Sequence, residues 1–312
     1  MTLSKSNIAR AKSRFSKKYD AHTVKWSYIM LAPEYIGFLV FSLYPILWAL
    51  RLSWFSYDGT PSATRFVGWT NFINLFTNDA TYWKSFLTTF EFAIMKVPFE
   101  MVLALLLALA LSRNIKGISK LRTFYFIPNV ISVAIIGLIF SNMFSYYGFV
   151  NSLLLKLGII SDNIDWFEHK FTALITLVLA DTWHSFGINM LYFIAALTNV
   201  PAELYESAKI DGAGSVVCFF KITLPSIAPV FKIVIMLSLI GTLSTSDIVL
   251  VLTGGAPGGQ TYTVMPYIVS NFVPGFAGAS ANIGYGCSMS MVTAVIMALV
   301  AAVHNRITKS SD

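Results

Sequence analysis

Six stretches of the chain are apolar over about the length needed to cross a bilayer: residues 26–50, 85–111, 123–144, 171–197, 227–252 and 284–304. Each is a continuous run and each is long enough to cover the hydrocarbon core, which takes about 20 residues of helix. The short alternating segments of a membrane barrel are absent. The pattern predicts an all-α, polytopic membrane protein with six transmembrane helices. The first run is longer than a signal-peptide core and lacks a small-residue cleavage site, so it reads as a retained span. The longest pieces between runs, 51–84 and 145–170, are rich in aromatics. They are expected to form short helices at the outer surface, with Trp54, Trp69, Trp83 and Trp166 in an interfacial belt.

Composition agrees with this pattern. Of 312 residues, 56% are hydrophobic and 12% charged, against about 25% charged in a soluble domain. The net charge of +7 would raise the question of nucleic acid in a soluble protein, but here it is concentrated in particular loops. Fifteen Lys and Arg fall before the first span, in 113–122, in the loop after span four and in the tail, against five in the alternate loops. The positive-inside rule then puts both termini and the 201–226 loop in the cytoplasm. The division expected is a basic segment 1–25, a six-span domain 26–304 containing the 201–226 loop, and a short tail 305–312. Cys218 and Cys287 lie far apart and give neither a disulfide framework nor a metal spacing. No His-Glu-x-x-His or Gly-x-Ser-x-Gly pattern is present, so no catalytic residue is assigned.

The loop between spans four and five, Pro201 to Pro229, is polar and well punctuated. Pro201 suits a first helical position, with Asn199 as cap, and Glu203 favours the first turn. Gly212 should end that helix after about three turns. Asp211 reads as a cap for a second helix, 214–223, ending before Pro225.

This loop resembles the coupling loop of permease subunits of binding-protein-dependent ABC importers. The signature, Glu-Ala-Ala, three residues, Gly, nine residues, Ile-x-Leu-Pro, stands here as Glu206-Ser207-Ala208, Gly212 and Ile222-Thr223-Leu224-Pro225. Ser207 replaces the first Ala. Asp211-Gly212-Ala213 matches the carbohydrate branch. The likeness continues in Phe41–Pro45, Phe66–Phe72, Arg122–Ser132, Ala195–Leu197, Asp247–Thr261 and Gly284–Ser290, and is nearest to the larger, maltose-permease-like subunit type. It implies a chain that hydrolyses nothing and carries no cofactor, ATP and Mg being held by an ATPase. The implied partners are a second homologous permease, two ATPase subunits, an extracytoplasmic solute-binding protein and membrane lipid, but no nucleic acid. It also implies the cytoplasmic membrane of a bacterium or archaeon, and a sugar or a related solute such as glycerol phosphate as cargo. Glu206, Ala208, Asp211, Gly212, Ala213, Ile222, Leu224 and Pro225 would meet the ATPase.

An ionisable group in a span costs at least about 2.5–3.5 kcal/mol and needs a reason. Lys96 and Glu100 lie four apart on span two and can pair, as an internal ion pair or as a substrate contact; Glu91 is on another face. Asp181 and His184 are roughly co-facial on span four, near Trp183 and Asn189. Carboxylates and rings hold sugars; the same groups could relay protons in a self-contained, ion-coupled transporter. Asp247, close to the outer end of span five, reads as a substrate contact or as a cap for the following turn. Tyr285 in span six completes the pathway candidates. Gly254–Thr261 spaces its glycines somewhat like a phosphate loop but has Gln260 where the lysine is needed, and reads instead as an outer turn near a docking binding protein.

Overall fold

The computed structural model describes residues 21–60, 62, 64–112, 117–273, 275–276 and 281–309. The basic residues before 21, Arg113, Lys116 and residues 310–312 lie outside these, so the expectations for the terminal segments rest on sequence alone.

The chain opens with α1 (Ala21–Phe38), a π-turn at Leu39–Leu43 and α2 (Tyr44–Leu52). They form one apolar rod over Val24–Leu52. The π-turn has a local cause. Pro45 has no N–H to donate and its ring crowds the carbonyl four residues back. The helix widens, and the Tyr44 N–H reaches back five residues to the Leu39 carbonyl. No residue of this span's apolar window is buried within the chain.

An antiparallel pair follows, β1 (Phe55–Ser56) with β2 (Arg65–Phe66), Phe55 facing Phe66 and Ser56 facing Arg65. Then come α3 (Thr70–Thr77) and α4 (Ala80–Leu111). Segment 51–84 is thus a short ladder plus one helix ahead of α4, where helices alone were expected. Asp79 starts α4 by accepting the Tyr82 N–H at 2.9 Å, which satisfies one of the orphan donors of the first turn.

The third predicted span, 123–144, is not one helix. α5 (Ile118–Val130) and α6 (Val133–Met143) meet at 94°. Pro128 lies in the last turn of α5, and Ile131 is extended at φ −74°, ψ 141°. α7 (Phe149–Lys156) leads to α8 (Lys170–Thr198). After the polar loop come α9 (Ala202–Ile210), α10 (Ser215–Cys218), a second π-turn at Phe219–Thr223 and α11 (Leu224–Leu243). Here Pro225 plays the part of Pro45, and the Leu224 N–H reaches the Phe219 carbonyl. The expected stop before Pro225 is absent. Instead, Ser215–Leu243 forms one rod, because the π-turn widens the ladder just ahead of Pro225 and absorbs its ring and missing N–H.

Span five, expected unbroken to 252, ends at Leu243. Ser244-Thr245-Ser246 interrupts it before α12 (Asp247–Leu252), as hydroxyl side chains compete for backbone partners. α13 (Val264–Phe272) and α14 (Ile283–Lys309) complete the chain. Among the described residues five helices are long and apolar enough to cross a membrane, six if α5 and α6 form one broken span.

The core is a bundle of α4, α8 and α11. Val97, Met101, Ala104 and Ala108 of α4 meet Met190, Phe193 and Ile194 of α8 and Val234 of α11. Toward the end of the bundle away from the 201–226 loop, Phe92, Ile136, Leu177, Ile248 and Leu252 bring α6 and α12 against the same helices. Small residues set the approach, as close packing demands in lipid. A Cβ at Gly187 of α8 would strike the Tyr125 carbonyl oxygen of α5 and sit 3.1 Å from the Phe126 Cα.

Candidate functional site

The two helix breaks converge. A cavity of about 340 Å³ is lined by Val133, just after the α5–α6 bend, by Gly241, Ser244, Thr245, Ser246, Asp247 and Ile248 at the α11–α12 break, and by Lys96, Asp181, His184 and Ser185. Irregular backbone at membrane depth persists where it lines a cavity, since its freed polar groups then find partners. Of the sequence candidates, Asp181, His184 and Asp247 meet here. Asp247 is exposed, and Ser246 Oγ donates to its Oδ1 at 2.9 Å. It therefore stands at the start of α12, not as a cap for the glycine turn beyond.

Behind the cavity lies a buried ionic network. Lys96 Nζ is 2.7 Å from Asp181 Oδ2 and 3.7 Å from Glu100 Oε2. Glu100 is fully buried. It accepts from Asn189 Nδ2 at 2.7 Å and from Ser238 Oγ at 2.6 Å. One carboxylate on α4 thereby holds α8 and α11. The internal ion pair expected of Lys96 and Glu100 is present, extended by Asp181 across 85 residues of sequence. Glu91 pairs separately with Lys170 at 2.5 Å.

The other pathway candidates lie elsewhere. Trp183 is 36% exposed and packs on Phe140, two residues and about half a turn from Asp181. Asn189 is buried in the network. Tyr285 donates to Asp79 Oδ2 at 2.9 Å and Tyr267 to Asp79 Oδ1 at 3.3 Å. Asp79, which sequence reasoning passed over, thus caps α4 and ties α13 and α14 to it. An aspartate just ahead of a long apolar run is the signal that would have found it.

The second site is the polar loop. Pro201 precedes α9, which starts at Ala202; Asn199 instead closes α8, its amide donating to the Ala195 carbonyl at 3.0 Å. Glu203 lies in the first turn of α9 and Lys209 in the last. Gly212 has φ +75°. The Ala213 N–H bonds the Ala208 carbonyl at 2.8 Å and the Gly212 N–H bonds the Lys209 carbonyl at 3.1 Å, the paired bonds of a Schellman stop. Asp211 completes that stop and does not cap the next helix, whose extended leading residue is Gly214. Tyr205 Oη and Thr223 Oγ1, 2.9 Å apart, fasten α9 to the foot of α11. Glu206, Asp211, Gly212 and Pro225 are exposed, and Ala208, Ala213, Ile222 and Leu224 half-buried. Leu204, Ile210, Val216, Val217 and Phe220 are also exposed, Ile210 at 87%. Exposed apolar side chains gathered in one place are the mark of a protein or membrane contact surface. They were missed because the signature fixes spacing, not exposure.

Gly254–Thr261 forms a run of turns. Thr261 Oγ1 donates to the Ala256 carbonyl at 2.8 Å, and Gly258, Gly259 and Gln260 are exposed.

Residues 77–309 match the family described as binding-protein-dependent transport system inner membrane component. The chain is 33% identical over 296 residues to the lactose transport system permease protein LacF of Rhizobium radiobacter, covering 93% of this chain and 95% of that one. It is 30% identical over 286 residues to the trehalose/maltose transport system permease protein MalF of Thermococcus litoralis, covering 91% and 94%. Its fold is similar to a chain in the crystal structure of a bacterial ABC transporter involved in import of the acidic polysaccharide alginate. The TM-score is 0.77 at 21% identity, over 91% of this chain and 95% of that one.

Proposed function

Because the chain belongs to the family of binding-protein-dependent transport system inner membrane components, we infer that its cavity and its loop are the two ends of one importing device. The chain is the membrane-spanning subunit of an ABC importer for a sugar or oligosaccharide, a transport component and not an enzyme. We propose that it forms half of the path together with a second permease of the same kind. ATP and Mg belong to two ATPase subunits on the cytoplasmic side, and a solute-binding protein delivers the cargo from outside. Both termini and the 201–226 loop face the cytoplasm.

The observation that carries this reading is the convergence of two helix breaks on one polar cavity, at the far end of the rod whose foot bears the exposed loop. Asp181, His184 and the hydroxyls of Ser185, Ser244 and Ser246 offer donors and acceptors to sugar hydroxyls, and discontinuous helices are where transporters place their cargo. The loop supplies the grip. Leu204, Ile210, Val216 and Phe220 would be covered by the ATPase, with Glu206 meeting a basic group or a backbone donor.

The test is to co-purify the chain with its partners and measure ATP hydrolysis in reconstituted membranes. Sugar-loaded binding protein should stimulate the wild type. Gly212→Asp forces a side chain into the left-handed region, at about 1–2 kcal/mol, and places a charge on the knob, though nothing lies within 4 Å of a Cβ there. It should insert normally yet lose stimulation and transport. Ion-driven uptake by the chain alone, or full coupling in Gly212→Asp, would sink the proposal.

A further inference from the structure

We propose that the cavity at the two helix breaks selects neutral or amino-bearing saccharides and rejects acidic ones; this rests on the reading of the cavity as a cargo site. The charges on its wall decide the matter. Lys96, Asp181 and Asp247 line it. The lysine is 4% exposed and is held by Asp181 at 2.7 Å, with Glu100 at 3.7 Å on its other side. Its positive charge is therefore spent inside the protein. The carboxylate of Asp247 is exposed and accepts from the neutral hydroxyl of Ser246. One cation faces two carboxylates on the wall and a third just behind it, so the net charge is negative with or without Glu100. The breaks bring the N-termini of α6 and α12 and the C-terminus of α11 to the cavity, and their dipoles, about half a charge at each end, leave about half a positive charge between them. That does not cancel a whole one. His184 is uncharged at neutral pH in its ordinary state.

Of the hydroxyls on the wall, Ser185 donates to the Asp181 carbonyl at 2.8 Å, Thr245 to the Gly241 carbonyl at 3.0 Å and Ser246 to Asp247, so each keeps lone pairs that accept, and Ser244 can donate or accept. They match the hydroxyls of a neutral sugar. A uronate, sulfonate or phosphate would have to shed water beside Asp247 without gaining an unpaired cation, and burying a charge unpaired is costly. An ammonium on the sugar would find Asp247 as its counter-ion.

The assembled complex, in detergent so that both faces are open, provides the test. In a Cys218→Ser, Cys287→Ser background, Ser244→Cys places one thiol of this chain on the cavity wall, and its alkylation is read as a gel shift. Maltotriose, deacetylated chitotriose and trigalacturonate are compared as protectants at equal concentration. Maltotriose and the amino trisaccharide should slow alkylation, with trigalacturonate weaker by about tenfold or more, the equivalent of a single unfavourable charge contact. Asp247→Asn should narrow the gap and Asp247→Lys should reverse it. Equal protection by trigalacturonate in the wild-type cavity, or an unchanged order in Asp247→Lys, would overturn the proposal. So would an absence of protection by every saccharide while binding-protein-stimulated ATPase activity is intact, which would leave the importer itself standing. Loss of that stimulation in the parent complex would instead strike at the function on which the proposal rests.

Discussion

Glu100 can be removed in two ways that separate its charge from its shape. Replacement by Ala strips the acceptor from Asn189 Nδ2 and from Ser238 Oγ, both buried, whereas Lys96 keeps Asp181 at 2.7 Å. Two orphaned polar groups at about 1–3 kcal/mol each, plus a cavity, give a loss of about 3–5 kcal/mol. Replacement by Gln keeps an oxygen for Asn189 and an amide that Ser238 can accept from. What it loses is the weaker, 3.7 Å contact with Lys96, so its cost should stay near 1 kcal/mol. Lys96→Met leaves Asp181 and Glu100 as uncompensated buried carboxylates and should cost about 3–5 kcal/mol, the range for breaking a buried pair. Equilibrium unfolding in mixed SDS and mild detergent gives these values, and the order expected is Gln far milder than Ala or Met. Neutral interhelical hydrogen bonds in membranes average only about 0.6 kcal/mol. If all three variants fell within about 1 kcal/mol of the wild type, Glu100 would be ordinary polar glue and the argument for a charged hub would fail.

Gly187→Ala should loosen α5 from α8, at about 1–3 kcal/mol for a forced overpacking, because the atoms in the way are Tyr125 and Phe126 backbone; Gly37→Ala, with nothing within 4 Å, is the control and should not destabilise, and equal effects would refute the close approach. For topology, single cysteines at Ser119 and Gln260, both exposed, go into cells expressing the chain without its native thiols. An impermeant reagent should label Gln260→Cys and spare Ser119→Cys until the membrane is breached; outside labelling at Ser119 would invert the charge-based orientation.

The spans were legible because a bilayer demands continuous apolar length, and hydropathy reads length well. Their interruptions were not. Ile131-Ser132 and Ser244-Thr245-Ser246 are apolar or neutral, so they barely change hydropathy while ending the helical hydrogen-bond ladder. The prolines are visible in the sequence, and Pro225 there signals a stop, whereas the chain accommodates it with the π-turn at Phe219–Thr223. In the loop, Gly212 announced its left-handed backbone, whereas the closing bonds that use up Asp211 depend on the geometry of the whole stop. At the cavity, helical periodicity put Asp181 and His184 on one face and should have set Trp183 on the other. The pairing of Lys96 with Asp181 joins different spans, and no local pattern encodes it.

Ser215–Leu243 is a single rod of 29 residues, roughly 43 Å at the rise of an α-helix. Its foot carries Val216 and Phe220, and its head ends one residue short of Ser244 on the cavity wall. Such a rod works as a lever. A tilt of about 6° about any fulcrum along it separates the movements of its two ends by roughly 4–5 Å over that length, comparable to one helical turn. No chain of small side-chain adjustments is then needed to carry a message between them. Where the fulcrum sits fixes the mechanical advantage: nearer the head, a wide sweep of the loop becomes a short, forceful movement at the wall, and nearer the foot the reverse. The packing of Val234 among Met190 and Phe193, about two-thirds of the way up, would give the loop the longer arm.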